Sequence, residues 1–580
     1  MNYPVWDVPS SGLFIALIAV LHVFISHFAV GGGLFLVVTE RRARRADDEA
    51  LLAYVKRHSR FFVLLTLVLG AITGVGIWFT IGLVHPQATS SLIQIWVWAW
   101  AIEWTFFITE IAAAMVYYYG WDRLTPARHL AVGWIYFWSA WLSLVVINGI
   151  LAFMLTPGGW LQTRGLVAGF FNPTYWPALA ARTFGAIGLA GVYALFTSAW
   201  EPDAALRARI ARYAGLGWVI PMAIALPLSV GWLLHAAARA GVPVAAVLGA
   251  SDDSMGALLA AVLGGTDAGQ PITRFAAYVM LLAAAACLVV TLVIVALRHR
   301  VGARPLATLA MVAALVTLGG AEWVREGLRK PYVIGGYMFV TGARLPAPTG
   351  ARLSPALADP FDVNALARTG VLASPWTRPV PAGLDPVARA DHEGRDVFRF
   401  ACASCHSMDG YNAVRPLVRG RSLDAIDGML RRLALPVDAA GRPSTWDAPD
   451  VRLATWRGRQ MPPFVGTDAE RRALATHLAL LGGADPASLA ATTAGAAGQD
   501  GAAYFEANCS MCHGPDGEWP MAKRPSRSAD EFEALLGRLP ELNEMMPPFE
   551  GTDADRRALA QHLAKLTSEN APATKTESSR

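Results

Sequence analysis

The sequence predicts an all-α protein in which a polytopic membrane helix bundle of about eight spans precedes two small all-helical domains. Three observations predict this fold class. The 580 residues are 54% hydrophobic and only 16% charged, with a mean hydropathy of +0.38, which is too apolar for a soluble protein of this size. The apolar residues concentrate in residues 1–340. The remainder contains two copies of one sequence unit with helical periodicity.

Eight apolar runs of roughly 20 or more residues are long enough to cross a bilayer core of about 30 Å as helices. They lie near 11–38, 61–84, 93–119, 130–155, 176–200, 213–237, 273–297 and 305–325. The first run starts near Pro9 without a basic leader, so no cleavable signal peptide is predicted.

Lysine and arginine are distributed unevenly between the connecting loops. Loops 41–60, 121–129, 201–212 and 298–304 hold seven, two, three and three of them, whereas the alternate loops hold only Arg164 and Arg239. By the positive-inside rule the N-terminus lies outside the cytoplasm, and eight crossings return the C-terminus to the same side. We therefore expect a bacterial inner-membrane protein with its C-terminal domains in the periplasm. Because the basic residues set orientation, no nucleic-acid partner is expected.

Two Cys-x-x-Cys-His motifs lie in the C-terminal part. Their residues are Cys402, Cys405 and His406 in CASCH, and Cys509, Cys512 and His513 in CSMCH. This spacing is typical of covalent c-type haem attachment, in which both thiols add to the porphyrin vinyl groups and the histidine binds the iron. The sequence therefore predicts two covalent haem c groups. Haem c is attached outside the bacterial cytoplasm, which agrees with the predicted topology.

The two motifs belong to an internal repeat, in which MPPFVGTDAERRALATHLALL at 461–481 matches MPPFEGTDADRRALAQHLAKL at 546–566. The predicted organisation is a membrane domain (1–340), a linker with little regular structure (341–390), a first repeat (391–482), an Ala/Gly-rich linker (483–497), a second repeat (498–567) and a disordered tail (568–580). Both repeats resemble class I cytochrome c domains, which are small, all-helical and ligate iron through His and Met.

A methionine is predicted as the second axial ligand in each repeat. Met461 and Met546 each stand before Pro-Pro-Phe, at the start of a helix capped by Thr-Asp. A thioether opposite histidine stabilises ferrous haem. The alternatives are a core role for Met461 and ligation by the neighbouring Met545. His477 and His562 also recur, and we predict that they are packing or surface residues.

Several ionisable residues lie within the predicted spans, where each costs about 2.5–3.5 kcal/mol at mid-helix. His22 lies in span 1, and Glu322 and Glu326 close span 8. Glu103 and Glu110 in span 3 are seven residues apart, which is nearly two turns, so both carboxylates lie on one helix face. Haem ligation and proton conduction are the functional interpretations. A satisfied core histidine, and a glutamate pair bound to backbone or water, are the structural alternatives.

Residues 10–200 resemble subunit I of the cytochrome bd quinol oxidase family. The matching segments are LHVFISHFAVGGGLFLVVTE in span 1, AIE at 101–103, Glu110, GWDRL at 120–124 and, later, REGLRKPY at 325–332, which is similar to that family's Glu-x-Gly-Arg-x-Pro-Trp signature. The resemblance implies that His22 is the axial ligand of the oxygen-reactive haem, and that Glu326 is a ligand of a neighbouring high-spin haem. It also implies proton delivery by Glu103 and Glu110, haem b, haem d or both in the membrane domain, and a second membrane subunit.

The chain departs from that family in the region of the low-spin haem and quinol. Span 5 reads ALAARTFGAIG and lacks the family's histidine, and Met280 of span 7 is displaced inward. The loop between spans 6 and 7 has only about 35 residues, without Lys or Glu, and Tyr332 replaces the final Trp of the signature. His235 and His85 are candidate substitute ligands, with interfacial histidines as the alternative.

These observations predict membrane-bound respiratory electron transfer, with three forms left open. In the first, the c haems exchange electrons with membrane haems in a bd-like terminal oxidase supplied by cytochrome c. In the second, a quinol is oxidised and the c haems pass electrons to a periplasmic acceptor. In the third, the chain is a non-enzymatic, membrane-anchored electron relay.

Overall fold

The computed structural model describes residues 11–265, 268–298, 302–345, 361–374, 377–410, 412–433, 461–493, 501–515, 519–542, 546, 549 and 553–568. In these residues the protein is mostly helical, with a single two-stranded sheet. The chain divides into two compact units, one of Leu13–Ala358 and the other of Met1–Gly12 with Asp359–Arg580. The predicted all-α fold class is confirmed.

Eight helices among the described residues are long and apolar enough to cross a membrane. In chain order, spans 1 to 8 are Gly12–Arg45, Glu49–Val84, Val97–Gly120, Pro126–Leu155, Tyr175–Ser198, Ala204–Arg239, Pro271–Leu297 and Ala303–Arg329. Each corresponds to one of the eight predicted runs, so the protein is an integral membrane protein.

The spans are longer than the apolar runs at the ends that carry basic residues. The predicted loop 41–60 is reduced to residues 46–48, because span 1 continues to Arg45 and span 2 begins at Glu49. Asp48 caps span 2, and its side chain accepts a hydrogen bond from the Leu51 N–H at 3.0 Å. Long basic side chains cover apolar surface with their stems while their charges reach water, so a helix need not end where its apolar run ends.

The core of the membrane unit is rich in aromatic residues contributed by several spans. Phe28 of span 1 stacks on Tyr193 of span 5, with ring centroids 3.8 Å apart. The two spans cross at Gly31, where an added Cβ would lie 1.9 Å from the carbonyl oxygen of Ala186. Only glycine permits this approach, which fixes span 1 against span 5.

Span 2 and span 6 each contain a π-helical segment, Leu64–Gly70 and Gly215–Val219. Short helices lie between spans 2 and 3, 4 and 5, and 6 and 7: Pro86–Ile95, Trp160–Thr163, Leu166–Phe170, Val244–Leu248 and Met255–Gly264. After span 8, strands Tyr332–Ile334 and Met338–Phe339 pair antiparallel. Ile334 and Met338 are fully buried, so this hairpin packs as part of the membrane unit.

The second unit consists of short helices. They are Val363–Thr369, Pro386–Ala401, Arg415–Val418, Leu423–Leu433, Asp468–Leu481, Pro486–Thr493, Gly501–Asn508, Ser510–His513, Ala529–Leu536, Leu539–Leu542 and Asp553–Ser568, with a 3-10 turn at Met521–Lys523. Helices precede both attachment motifs, and the predicted helices after both Met-Pro-Pro-Phe segments are present.

Part of the predicted linker 341–390 is ordered against the first repeat. Helix Val363–Thr369 begins at Asp362, whose side chain accepts from the Asn364 N–H at 2.8 Å. The Leu372 N–H donates to Glu470 Oε1 at 2.7 Å. This helix could not be predicted from the composition of the segment. Its N-terminus is capped by one side chain, Asp362, and the segment is held to the first repeat by another, Glu470. The predicted tail beyond Ser568 lies outside the described residues, as do 346–360 and 494–497 of the predicted linkers.

Candidate haem sites

Each attachment motif follows the end of a helix with the same backbone hydrogen bonds in both repeats. The bonds are Cys402 N–H to Phe398 O (2.8 Å) and His406 N–H to Cys402 O (2.9 Å), and Cys509 N–H to Phe505 O (2.8 Å) and His513 N–H to Cys509 O (2.9 Å). All five cysteines of the chain are described, and none of them forms a disulfide. Burial raises the pKa of the Cys402 thiol to about 12, so it is protonated at neutral pH. Both motifs thus present the thiols that thioether attachment requires.

The histidine of each motif is oriented by a backbone carbonyl six residues further on. Nδ1 of His406 lies 3.1 Å from Asn412 O, and Nδ1 of His513 lies 2.9 Å from Trp519 O. A carbonyl can only accept, so Nδ1 carries the proton in both rings and Nε2 carries the lone pair. Iron requires that lone pair, and a fixed tautomer is the usual arrangement of metal-binding histidines. The residues present therefore fit a haem c group in each repeat.

A close helix crossing recurs at equivalent positions of the two repeats. A Cβ added at Gly394 would lie 2.0 Å from Ala473 O, and one added at Gly501 would lie 1.9 Å from Ala558 O. Each glycine stands eight residues before the first cysteine of its motif. The sequence repeat is therefore also a repeat of tertiary packing.

His477 and His562 pack within their repeats, in agreement with their predicted role. His477 Nδ1 lies 2.8 Å from Asp391 Oδ1, and its ring centroid is 6.0 Å from that of Phe398. The His562 ring lies 5.4 Å from Phe505.

Met461 and Met546, the predicted second ligands, are both partly buried. In the first repeat the segment after the methionine is fixed, because the N–H of buried Phe464 donates to Leu433 O at 2.6 Å. Ligation by the two methionines stays a prediction, and the alternative Met545 lies outside the described residues.

His22 of span 1 is oriented by span 2. Its Nδ1 lies 3.1 Å from Thr73 Oγ1, and that hydroxyl donates to Leu69 O at 2.7 Å. The Thr73 oxygen therefore accepts from Nδ1–H, which leaves the lone pair on Nε2. A Cβ added at Gly74 would lie 3.0 Å from His22 Cε1, so glycine gives this ring its space. The arrangement fits an iron ligand, although Thr73 could not be identified from the sequence.

Glu103 and Glu110 both face span 4, as their predicted position on one helix face requires. The Ser143 hydroxyl donates to Glu103 Oε1 at 2.9 Å, and the Tyr136 hydroxyl donates to Glu110 Oε1 at 2.9 Å. Each partner is a hydroxyl, which can both donate and accept a hydrogen bond. Ser143 and Tyr136 are site residues that the sequence reasoning missed, because only the antiparallel pairing of spans 3 and 4 brings them to the carboxylates.

Glu326, the predicted ligand in span 8, is paired with a cation on its own helix. Arg329 Nη2 donates to Glu326 Oε2 at 2.6 Å, and Arg329 Nη1 donates to Val333 O at 2.9 Å. Both bonds from Arg329 to the carboxylate end on Oε2. Iron ligation through Oε1 stays a prediction.

Span 5 carries an arginine in the segment that lacks a histidine. Arg182 Nη2 lies 4.0 Å from Glu322 Oε1 of span 8, and Arg325 Nε donates to Glu322 Oε2 at 2.8 Å. The three side chains form an ionic cluster between spans 5 and 8. Arginine is always protonated and cannot ligate iron, so this position of span 5 does not fit a haem ligand. His235 is exposed and His85 is partly buried.

A second polar cluster, around Glu40, was missed by the sequence reasoning. The side chains of Glu40 and His129 are 0% exposed, and His129 Nδ1 lies 2.8 Å from Glu40 Oε1. The Tyr117 hydroxyl and Arg44 Nε also donate to this carboxylate, each at 2.7 Å. The cluster joins spans 1, 3 and 4 at their basic ends. The available signal was an acidic residue just after the apolar run 11–38 of span 1. It was missed because only Lys and Arg were counted there.

We expect Glu40→Ala to lower the free energy of unfolding by about 3–5 kcal/mol, the usual cost of removing one partner from a buried ion pair. Thermal unfolding of the purified protein in detergent measures this. The matched control is Asp122→Ala. The Asp122 side chain is paired with Lys56 but is 82% exposed, so its removal is expected to change the free energy of unfolding very little. Equal effects of the two changes would contradict a structural role for the buried cluster.

Residues 11–240 match the family model of cytochrome bd terminal oxidase subunit I. This part of the chain, called the bd domain below, is similar to cytochrome bd terminal oxidase subunit I. Residues 496–563 match the family model of cytochrome c oxidase, cbb3-type, subunit III. The solved structure of bd oxidase from Geobacillus thermodenitrificans aligns with a TM-score of 0.48 and 17% sequence identity, covering 61% of this chain and 92% of that chain. No curated protein matches the chain.

The bd domain and the cytochrome c domain together place the chain in membrane respiratory electron transfer. The cytochrome c domain indicates haem c, and the bd family implies haem b or haem d in the membrane. The bd relationship also indicates a membrane complex with a second subunit. The cytochrome c match falls almost entirely on the second repeat. Haem attachment in the first repeat therefore stays a prediction, which rests on the shared motif, helix crossing and histidine orientation.

Proposed function

We propose that the chain is the haem-bearing subunit of a terminal oxidase that receives electrons on the periplasmic side and reduces oxygen in its bd domain. The observation that carries this proposal is that one chain contains both parts of such an enzyme. Its bd domain retains His22, and each of its two repeats presents an oriented Cys-x-x-Cys-His motif. Haem bound at these positions supplies one-electron transfer and, in the bd domain, the oxygen chemistry.

The chain's own residues have distinct tasks in this proposal. Cys402 and Cys405 hold the first haem c, and Cys509 and Cys512 hold the second. The iron ligands are His406 with Met461, His513 with Met546, and, in the membrane, His22 and Glu326. Glu103 and Glu110 hold and transfer protons, with Ser143 and Tyr136 keeping the carboxylates in place. The unequal loop charges support a periplasmic position for both repeats.

A cytochrome c donor is favoured over a quinol by two features of the bd domain. The span-5 segment that lacks the family's histidine contains Arg182, which forms an ionic cluster with Glu322. The connection between spans 6 and 7 is short and contains the helices Val244–Leu248 and Met255–Gly264. These features support electron delivery through the repeats, with a soluble c-type carrier as donor and a second membrane subunit as structural partner.

The test is a pyridine haemochrome spectrum with haem and iron quantification on the purified protein. We expect two covalent haems c per chain and at least one non-covalent haem. Haem c alone would contradict the proposal and leave a membrane-anchored electron relay.

Oxygen uptake then identifies the donor. We expect uptake with reduced cytochrome c, and a large loss of it in the Cys509→Ala, Cys512→Ala double variant. Uptake supported by a quinol but not by cytochrome c would overturn the proposed direction of electron flow. Reduction of an added periplasmic acceptor by quinol, without oxygen uptake, would favour the quinol-oxidising alternative.

A further inference from the structure

The two repeats share an interface within the second compact unit. Helix Leu423–Leu433 of the first repeat packs on helix Asp468–Leu481 of its own repeat and on helix Gly501–Asn508 of the second. Ala425 and Ile426 of this shared helix are each 1% exposed. The second repeat is therefore packed directly against the first, rather than being held by the intervening linker alone.

Arg421, two residues before the shared helix, extends the interface to the second attachment motif. Its Nη1 donates to Ser510 Oγ at 3.3 Å, and its Nε donates to Leu417 O at 2.8 Å. Ser510 lies between Cys509 and Cys512 and is buried. The Ser510 hydroxyl donates to Glu506 O at 2.7 Å, so its oxygen is oriented to accept from the guanidinium.

This contact has no counterpart in the first attachment motif. The position equivalent to Ser510, directly after the first cysteine, is Ala403 in the first repeat, and alanine has no side-chain acceptor. The two motifs thus differ at this position, where a cation from the first repeat contacts the haem-binding segment of the second.

A fixed positive charge near a haem stabilises the reduced state of the iron and so raises the midpoint potential. Guanidinium is protonated at all relevant pH values, and a charge held in a partly buried interface is screened less than one in free solution. Charge and hydrogen bonding around a haem are among the means by which a protein sets its potential.

We propose that Arg421 is a positioning and tuning residue, supplied by the first repeat, that raises the midpoint potential of the haem c in the second repeat. The two covalent haems then differ in potential, and electrons shared between them reside preferentially in the second repeat. This inference rests on the proposed function only in that both repeats carry haem c.

The test is a potentiometric titration of the c-type α-band in the full-length purified protein, after two covalent haems per chain have been confirmed. A haem count below two is a failure of the proposed function and is recognised before the titration. In Arg421→Gln we expect one of the two midpoints to shift downward while the other stays in place. Arg421→Lys, which keeps the charge, is expected to shift it less.

The matched control is Arg419→Gln, which removes an equal charge from an exposed side chain two residues away. It is expected to leave both midpoints unchanged. Ser510→Ala, which removes the hydroxyl that accepts from Arg421 and donates to Glu506 O, is expected to lower the same midpoint as Arg421→Gln and serves if that variant fails to fold. Unchanged midpoints in both Arg421→Gln and Ser510→Ala, an upward shift in either, or equal shifts in Arg421→Gln and Arg419→Gln would overturn the proposal.

Discussion

Replacing His22 with alanine is expected to abolish the absorbance of a membrane haem while the covalent c-type α-band keeps its full intensity. The imidazole is the ligand that the proposed function gives to that haem, and Thr73 holds it with Nε2 carrying the lone pair. Loss of an axial ligand removes the strongest bond between protein and iron, so oxygen uptake should fall to background. The measurement is a reduced-minus-oxidised spectrum, with haem quantification on the same preparation.

Two further variants separate ligation from folding in this test. Thr73→Ala removes only the orienting hydroxyl and is expected to weaken haem retention by about 10–100-fold, the usual effect of losing a partner that orients a ligand. His235→Ala changes a candidate substitute ligand that is exposed and has no part in the proposed function, so the spectrum should stay as it is. If His22→Ala retained the full membrane haem spectrum, the assignment of His22 would be wrong.

Replacing Gly501 with valine is expected to reduce the covalent haem from two groups to one per chain. The first atom of the new side chain would lie 1.9 Å from Ala558 O, a backbone atom that a rotamer change cannot move. Overpacking typically lowers the free energy of unfolding by about 1–3 kcal/mol, and we expect the upper end of this range here. Small domains have low stability, so a loss of this size unfolds the repeat. The unfolded repeat would not be a substrate for haem attachment. Haem staining and haem quantification measure the result.

The first repeat offers the same experiment at Gly394, where Ala473 O is 2.0 Å from the added carbon. Gly537→Val is the matched control in the second repeat, because its nearest neighbour, Ala534 O, would be at an ordinary 3.5 Å. Two haems per chain in Gly501→Val would show that the crossing is not required for the attachment-competent fold.

Much of the architecture could be predicted from sequence patterns of low resolution. Twenty apolar residues in a row have few structural options, so all eight spans were found. The seven-residue spacing of Glu103 and Glu110 follows from helix geometry and led to the correct face. The internal repeat could be recognised because two segments have nearly identical sequences. The helix crossings at Gly394 and Gly501 show that the two copies also pack in the same way.

What could not be predicted depends on distances between separate segments. Arg182 was visible within span 5, but its partner Glu322 is known only once spans 5 and 8 are adjacent. Glu40 and His129 likewise belong to spans that meet in the fold. Several spans were predicted too short at their basic ends. A hydropathy scale counts each Lys or Arg as polar, although its apolar stem can lie against the membrane. The contact of Arg421 with Ser510 required the two repeats to be packed together.

The ionic cluster of spans 5 and 8 constrains how the protein is made. Arg182 precedes Glu322 by 140 residues in the sequence, and synthesis at about 5–20 residues per second separates the two by roughly 7–28 s. During that interval span 5 carries an arginine whose insertion costs about 2.5–3.5 kcal/mol, and neither Glu322 nor its neighbour Arg325 has yet been made. Span 5 must therefore be retained by its apolar residues and by its crossing with span 1 at Gly31 until span 8 arrives. Folding of the membrane domain is therefore complete only when Glu322 of span 8 pairs with Arg182 of span 5.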